Sequence, residues 1–312
     1  MKSNKKRAVL VASTGGHLAQ LHRLAPKLDI SADPLWVTFE NEQSKSLLRR
    51  EKNVMFLPYI ASRDWRTALR SVGPLQTEFR KGHYDMVFST GAALAVPAFI
   101  AASTTAGMRR YYLESVSRFD GPSLSGRIVS AIPGTQVYTQ HAEWSSKKWK
   151  QGPCVLDDYT LISNEIFVPK NRRLKIFVTL GTIRPYRFDR AVDAIVKQFG
   201  EHDIVWQLGV TNRGDLPGYA TAMMDAFQFD SQVERADVVI THAGVGSAMR
   251  IMDLGKTPIM VTRSKDHGEH VDNHQNQITR ELTRRGLAFE MNLMGPNPGL
   301  LEASMAQRPK AV

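Results

Sequence analysis

The sequence predicts an α/β protein made of two doubly wound, nucleotide-fold domains, and three observations carry that expectation. First, a strand-like apolar run breaks into a glycine turn in three places. These are AVLVA at 8–12 before Ser13 to Gly16, Ile176 to Leu180 before Gly181 and Thr182, and Val238 to Ile240 before His242 to Gly246. Second, helix-forming segments alternate with strand candidates along most of the chain. Third, 312 residues of which 42% are hydrophobic can fill one large core or two of ordinary size, and the alternation favours two.

Taken in order, strands are expected near 8–12, 35–39, 53–57, 85–89, 110–113 and 136–139, forming an N-terminal domain over 1–165. His17 opens a helix with Leu18, Leu21 and Leu24 at helical spacing. The stretch from Trp149 to Arg173 holds Gly152, Pro153, paired aspartates, Pro169 and a basic cluster, and reads as the linker. Strands near 175–180, 203–208, 237–240, 258–261 and 287–290 form a second domain over 166–295, and 296–312 reads as a loosely held tail. Open α/β sheets take ligands beyond the carboxyl ends of their strands, so the three glycine turns are expected to open onto one cleft with the domains facing across it.

The turn at 242–246 is the most informative. Gly244 and Gly246 let the backbone pass close to a ligand, and free N–H groups at the helix start near Ser247, reinforced by the helix dipole, suit a phosphate. It is not the dinucleotide fingerprint, because Met249 stands three residues after Gly246 where Gly or Ala belongs. Taken alone, the motif reads equally as a plain tight turn or a ligand loop.

Charge and composition narrow the classes. The net charge of +11 divides as +8 over 1–165 (22 basic against 14 acidic residues) and +3 over 166–312 (19 against 16). Arg63, Arg66, Arg70, Arg80, Lys81, Arg109, Arg110, Arg118 and Arg127 suit anionic lipid, a phosphorylated acceptor, nucleic acid or simply a solvated surface. With no nucleic-acid module or aromatic repeat among them, a nucleic-acid partner is not expected. A single cysteine, Cys154, excludes an internal disulfide, and the N-terminal apolar run is too short for a signal peptide, so a cytoplasmic protein is expected. The weakly polar stretch Gly91 to Gly107 falls short of the roughly 20 residues that span a bilayer. It is expected instead to insert shallowly. No Asp-x-Asp pair occurs, and His267, Glu269, His270, Asp272 and His274 are metal ligands by type only.

Four blocks, in order, resemble a known family. They are ASTGGHLAQL (12–21), YYLESVSRFDGPSLSGRIVSAIPGTQVYTQHAEW (111–144), IFVTLGT (176–182), and THAGVGS (241–247) with GEHVDNHQNQI (268–278). The first half is similar to the membrane-associated subunit, and the second to the catalytic subunit, of the two-part N-acetylglucosaminyltransferase of dolichol-linked oligosaccharide synthesis. Bacterial exopolysaccharide glycosyltransferases share the pairing, and MurG has the same two-lobed plan in one chain.

The resemblance implies a GT-B fold and an inverting transfer from a nucleotide sugar, usually a UDP-sugar, to a hydroxyl of a lipid-linked acceptor. It also implies a peripheral place on the inner face of the plasma membrane, with possible membrane-protein partners in a polysaccharide assembly system. Donor binding falls on Gly181, Thr182, His242, Gly244, Gly246, Ser247, Glu269, His270, Asn273, His274 and Gln275, with no cofactor and no obligatory metal, the amides and helix dipole standing in for one. Acceptor binding falls on Thr14, Gly15, Gly16, Ser115 and Arg118.

His17, at a helix start that disfavours a charged imidazole, is the nominee for general base, or else caps the turn. Glu114 is the competing base, or else pairs with Arg118. Arg250 stands where many relatives carry a ribose-binding Glu, and a guanidinium cannot accept a hydroxyl hydrogen bond; Asp253 is a possible substitute. Two further readings stay open: a non-catalytic or partner-dependent scaffold of this fold, and a nucleotide-sugar epimerase.

Overall fold

The structure is a computed structural model that describes residues 5–61, 64–163, 172–181, 185–269 and 274–312. The chain forms two compact units, Met1–Leu156 and Asp157–Val312. The division falls inside the expected linker and nine residues before the expected boundary at 165.

In unit 1 the strands are β1 (Ala8–Ala12), β2 (Leu35–Phe39), β3 (Val54–Leu57), β4 (Met86–Gly91), β5 (Arg109–Leu113), β6 (Thr135–Thr139) and β7 (Trp149–Gln151). They pair in parallel in the order β3-β2-β1-β4-β5-β6-β7, so the order reverses between β1 and β4. The helices are α1 (Gly16–Leu24), α2 (Glu42–Leu47), α3 (Trp65–Arg70), α4 (Val72–Gly82), α5 (Ala95–Ser103) and α6 (Leu124–Ser130). A parallel sheet covered on both faces needs apolar residues at every position, and all of β1 and β2 is buried. Leu18, Leu21 and Leu24 are buried on α1, as their spacing predicts.

Gly91 to Gly107 is not a membrane-inserting segment. It forms the end of β4 and then α5, whose Ala95, Pro97, Ala98, Phe99, Ala101 and Ala102 are buried in the unit 1 core. Its low polarity is that of an interior helix.

In unit 2 the strands are β8 (Tyr159–Ser163), β9 (Lys175–Thr179), β10 (Asp203–Gln207), β11 (Tyr219–Thr221), β12 (Val238–His242), β13 (Ile259–Val261), β14 (Phe289–Glu290) and β15 (Gln307–Ala311). Six of them form a parallel sheet in the order β11-β10-β9-β12-β13-β14, reversing between β9 and β12. The helices are α7 (Asp189–Phe199), α8 (Ala226–Arg235), α9 (Val245–Asp253), α10 (His274–Arg284) and α11 (Leu300–Ala306). Val178, Trp206 and Ile240 pack with Phe188, Ile195 and Leu301 on one face, while Phe177, Val239 and Ile251 pack on the other.

The tail at 296–312 is not loose. Leu301 and Met305 of α11 are buried, and β15 pairs antiparallel with β8 from Gln307↔Ser163 to Ala311↔Tyr159. This pairing is also why the expected linker holds β8, while β7 at its start pairs with β6.

One backbone feature sits where the unit 1 sheet reverses. Ala92, directly after β4, has φ 67°. A Cβ in the left-handed region costs about 1–2 kcal/mol. Ala92→Gly is therefore expected to raise stability by roughly 1 kcal/mol in urea titration, opposite to the usual sign of Ala→Gly. A lower midpoint at unchanged slope would show that no strain is held there.

Candidate functional site

In unit 1 the turn Ser13 to Gly16 leaves β1 at the point of reversal. Gly15 caps α1 at φ 89°, a conformation that suits glycine. Gln43 of α2 grips its peptide from both sides: Gly15 N–H donates to Gln43 Oε1 at 2.6 Å, and Gln43 Nε2 donates to the Gly15 carbonyl at 3.1 Å. His17 Nδ1 lies 2.8 Å from the Thr90 carbonyl, and Thr90 Oγ1 donates to the His17 carbonyl at 2.7 Å. These two bonds tie the turn after β1 to the end of β4, across the switch in strand order.

A carbonyl only accepts, so Nδ1 carries the proton and the neutral ring keeps its lone pair on Nε2. That is the tautomer a general base requires. Thr14, Gly15, Gly16 and His17 are all half-buried. At Gly91, which flanks Thr90 at φ 110°, a Cβ would meet Tyr112 Oη at 2.9 Å and His17 Nδ1 at 3.2 Å.

Glu114 directly follows β5 and is buried. Its carboxylate accepts from Ser123 N–H at 2.9 Å, Ser123 Oγ at 3.0 Å, Ser115 N–H at 3.1 Å and Tyr112 Oη at 3.3 Å. Burial pushes its pKa above the ordinary carboxylate value; the Ser123 and Ser115 hydrogen bonds pull it down, and Arg118 adds the smallest of these influences. Gly126 of α6 makes room for the carboxylate. Glu114 thus holds the loop that leads into α6.

Sequence reasoning missed the residues that fix the neighbouring loop. Gln20 of α1 is fully buried and donates to the Gly16 carbonyl at 3.0 Å and to Ser115 Oγ at 3.1 Å; its Oε1 accepts from Val116 N–H at 2.9 Å and Gln140 Nε2 at 2.8 Å. Ser115 is therefore buried within this network. His141 Nε2 donates to the Val116 carbonyl at 2.7 Å, and Trp144 Nε1 to the Arg118 carbonyl at 2.9 Å. A buried amide with every site used rigidifies what it touches. Here that is the path from Gly16 to Arg118.

In unit 2 the turns after β9 and β12 flank the other switch point. Gly181 has φ 73°, and a Cβ on it would stand 2.5 Å from His242 Nε2. A Cβ on Gly244 would run into the same ring, although Gly244 itself has an ordinary φ of −89°. The two glycines thus clear space for an imidazole wedged between the turns. That gives Gly244 a packing role beside the expected ligand approach. Helix α9 begins at Val245 with Gly244 as its cap, so Gly246 and Ser247 lie in its first turn, where amide N–H groups have no helical acceptor.

Glu269 is buried and bound to Arg190 of α7, with Nη2 at 2.8 Å and Nε at 3.1 Å, and accepts from Ser264 N–H at 2.9 Å. Gln275 Oε1 accepts from Arg263 N–H at 3.2 Å. Thr182, His270, Asp272, Asn273 and the side chain of His274 lie outside the described residues. Among the described residues no group of three or more His, Cys, Asp or Glu is placed to hold a metal ion.

Arg250 is ion-paired with Asp230 of α8, Nε to Oδ1 at 2.7 Å, and Asp253 accepts from Tyr159 Oη at 2.8 Å. Arg250 thus ties α9 to α8. Asp253, the possible ribose acceptor, is exposed and is linked to β8 through one carboxylate oxygen.

A strand order that reverses at a glycine turn, twice, defines a chain of two Rossmann-like units, and comparison with known proteins agrees. Residues 175–290 match the glycosyltransferase family 28 C-terminal domain. Among curated proteins, the UDP-N-acetylglucosamine transferase subunit ALG13 of Yarrowia lipolytica is 43% identical over 54 residues, 17% of this chain and 26% of the relative. The UDP-N-acetylglucosamine--N-acetylmuramyl-(pentapeptide) pyrophosphoryl-undecaprenol N-acetylglucosamine transferase of Christiangramia forsetii is 26% identical over 131 residues, 40% of this chain and 35% of the relative. The chain thus spans only about a quarter to a third of these two relatives.

Among solved structures, Acinetobacter baumannii MurG superposes with a TM-score of 0.56 at 14% identity, covering 95% of this chain and 88% of MurG. The UDP-GlcNAc 2-epimerase of Neisseria meningitidis gives a TM-score of 0.59 at 12% identity, covering 96% and 97%. The fold is GT-B.

Proposed function

We propose that the chain is a nucleotide-sugar glycosyltransferase, taking a UDP-linked sugar and passing it with inversion to a hydroxyl of a lipid-linked acceptor in exopolysaccharide or glycolipid assembly. The observation that carries this reading is that the family 28 match over 175–290 contains both turns at the unit 2 switch point, where open α/β sheets take ligands. The donor diphosphate is assigned to the first-turn amides of α9 and the Gly181 turn, with no obligatory metal. UDP is suggested by the relatives' names, and a lipid acceptor by the pyrophosphoryl-undecaprenol substrate of the Christiangramia enzyme. His17 is the base, because its tautomer is fixed by Thr90, whereas Glu114 is consumed in holding its own loop.

A donor panel tests this reading. UDP at one hundred times its Kd is expected to stabilise the chain by about 2.7 kcal/mol. Transfer of label from a UDP-sugar to a polyprenyl diphosphate-linked sugar, undiminished by EDTA, completes the test. Epimerised donor appearing without any acceptor would favour the epimerase reading that the Neisseria structure raises.

A peripheral membrane site on the cytoplasmic face goes with this proposal. No helix among the described residues is long and apolar enough to cross a membrane. With most of α5 buried, the apolar surface on offer for shallow insertion includes Tyr59, Trp65 and Leu69, which are 71%, 63% and 55% exposed, beside Arg66 and Arg70 of α3. Trp65→Ser combined with Leu69→Ser is expected to lower partition onto anionic vesicles roughly tenfold, with high salt weakening the wild type. Wild-type sedimentation of that variant would move the membrane face elsewhere.

A further inference from the structure

Arg263, just beyond β13, is fully buried, and the sequence alone gives no reason for it. Its Nη2 donates to the Leu180 carbonyl at 2.7 Å, and its Nη1 to the Tyr186 carbonyl at 2.9 Å and the Glu269 carbonyl at 3.1 Å. The guanidinium lies over the Phe188 ring, 4.7 Å from its centroid, and Nε has no hydrogen-bond partner. One side chain therefore gathers the residue before Gly181, the segment leading into α7 and the loop after β13.

These are carbonyl partners. The carboxylate of Glu269, which attracts Arg263 electrostatically, is bound to Arg190, so the three side chains together carry one excess positive charge. Burial lowers the Arg263 pKa to about 10 against the pull of Glu269, which leaves the group charged at neutral pH. A buried cation without its own counter-ion is costly, and an unsatisfied Nε adds to that cost. Such a charge is screened little by salt and acts strongly on an anion nearby.

We propose that Arg263 is a positioning cation that makes the Gly181 end of β9 a site for a diphosphate, shaping the turn through the Leu180 carbonyl and supplying positive potential without touching the ligand. This rests on the donor reading of unit 2. It gives that site the counter-charge which a metal ion supplies elsewhere.

Calorimetry of wild type, Arg263→Lys and Arg263→Gln with UDP, uridine and inorganic pyrophosphate tests the proposal. The preference for UDP over uridine is expected to fall about 10- to 100-fold in Arg263→Gln. It should stay within about threefold of wild type in Arg263→Lys, which keeps the charge but not the fork. Uridine affinity should change little in either. An unchanged preference in Arg263→Gln, or an equal loss in both variants, overturns the idea. If circular dichroism shows Arg263→Gln unfolded, Arg263→Lys decides alone: a preserved preference supports the proposal and a lost one overturns it. Wild type that binds pyrophosphate but not UDP, with pyrophosphate binding lost in Arg263→Gln, would refute the nucleotide-donor reading and support the anion site. Binding of neither overturns the proposal.

Discussion

His17→Ala is expected to cut sugar transfer by about 10² to 10⁴ while leaving UDP affinity nearly unchanged. The imidazole belongs to unit 1, and the proposed donor groups belong to unit 2. The Nδ1–H to Thr90 bond is what makes the prediction specific, because it presents Nε2 as the basic atom. Turnover in the variant should also lose the limb of its pH profile that reports the base. Glu114→Gln serves as the comparison, since its carboxylate accepts four hydrogen bonds within unit 1 and its loss should appear first in stability. Measured kcat, UDP affinity and melting temperature on the two variants separate the roles. A larger fall in kcat for a folded Glu114→Gln would reassign the base.

The second large effect lies at the other switch point. Gly244→Ala should cost about 1–3 kcal/mol by forcing a methyl group into the His242 ring, and UDP binding should weaken with it. His242→Ala in the same chain should restore much of the loss, because φ −89° at Gly244 suits alanine once the ring is gone. Gly181→Ala meets the same ring but also keeps φ 73°, so His242→Ala should leave a residual cost of roughly 1 kcal/mol there. Denaturant midpoints over the two double-mutant cycles measure both terms. Additive losses at Gly244 would mean that the imidazole is not what the glycine accommodates.

The fold was legible where local pattern and tertiary role coincide. The apolar runs of β1, β2, β9 and β12 announce buried parallel strands, and the turns at Gly15, Gly181 and Gly244 mark where the sheets reverse. β7, β8, β11 and β15 were invisible. Trp149–Gln151 and Tyr219–Thr221 are three residues each, and Gln307–Ala311 carries Pro309 among polar residues. They are strands because a sheet edge or a partner strand stands beside them.

In the candidate site, His17 and Glu114 were singled out because a residue at a turn or strand end signals itself locally. Gln20 and Arg263 were not, since their partners are remote in sequence: Ser115 and Gln140 lie 95 and 120 positions from Gln20, and Leu180 lies 83 from Arg263. No window of sequence displays a bond of that span. At Glu114 the serines at 115 and 123 weigh more than the expected Arg118.

The pairing of β8 with β15 sets an order of events during synthesis. Thr160 and Lys310 are 150 positions apart, yet they face each other across that ladder. On a ribosome the strand at 159–163 emerges early and waits until 307–311 has been made, while every pairing of the unit 1 sheet closes within the first 156 residues. Closing so long a loop is slow because its entropy is lost before any contact forms. The first lobe can therefore be complete while the second still carries an unpartnered strand, and over that interval a chaperone or a neighbouring nascent chain has its opening.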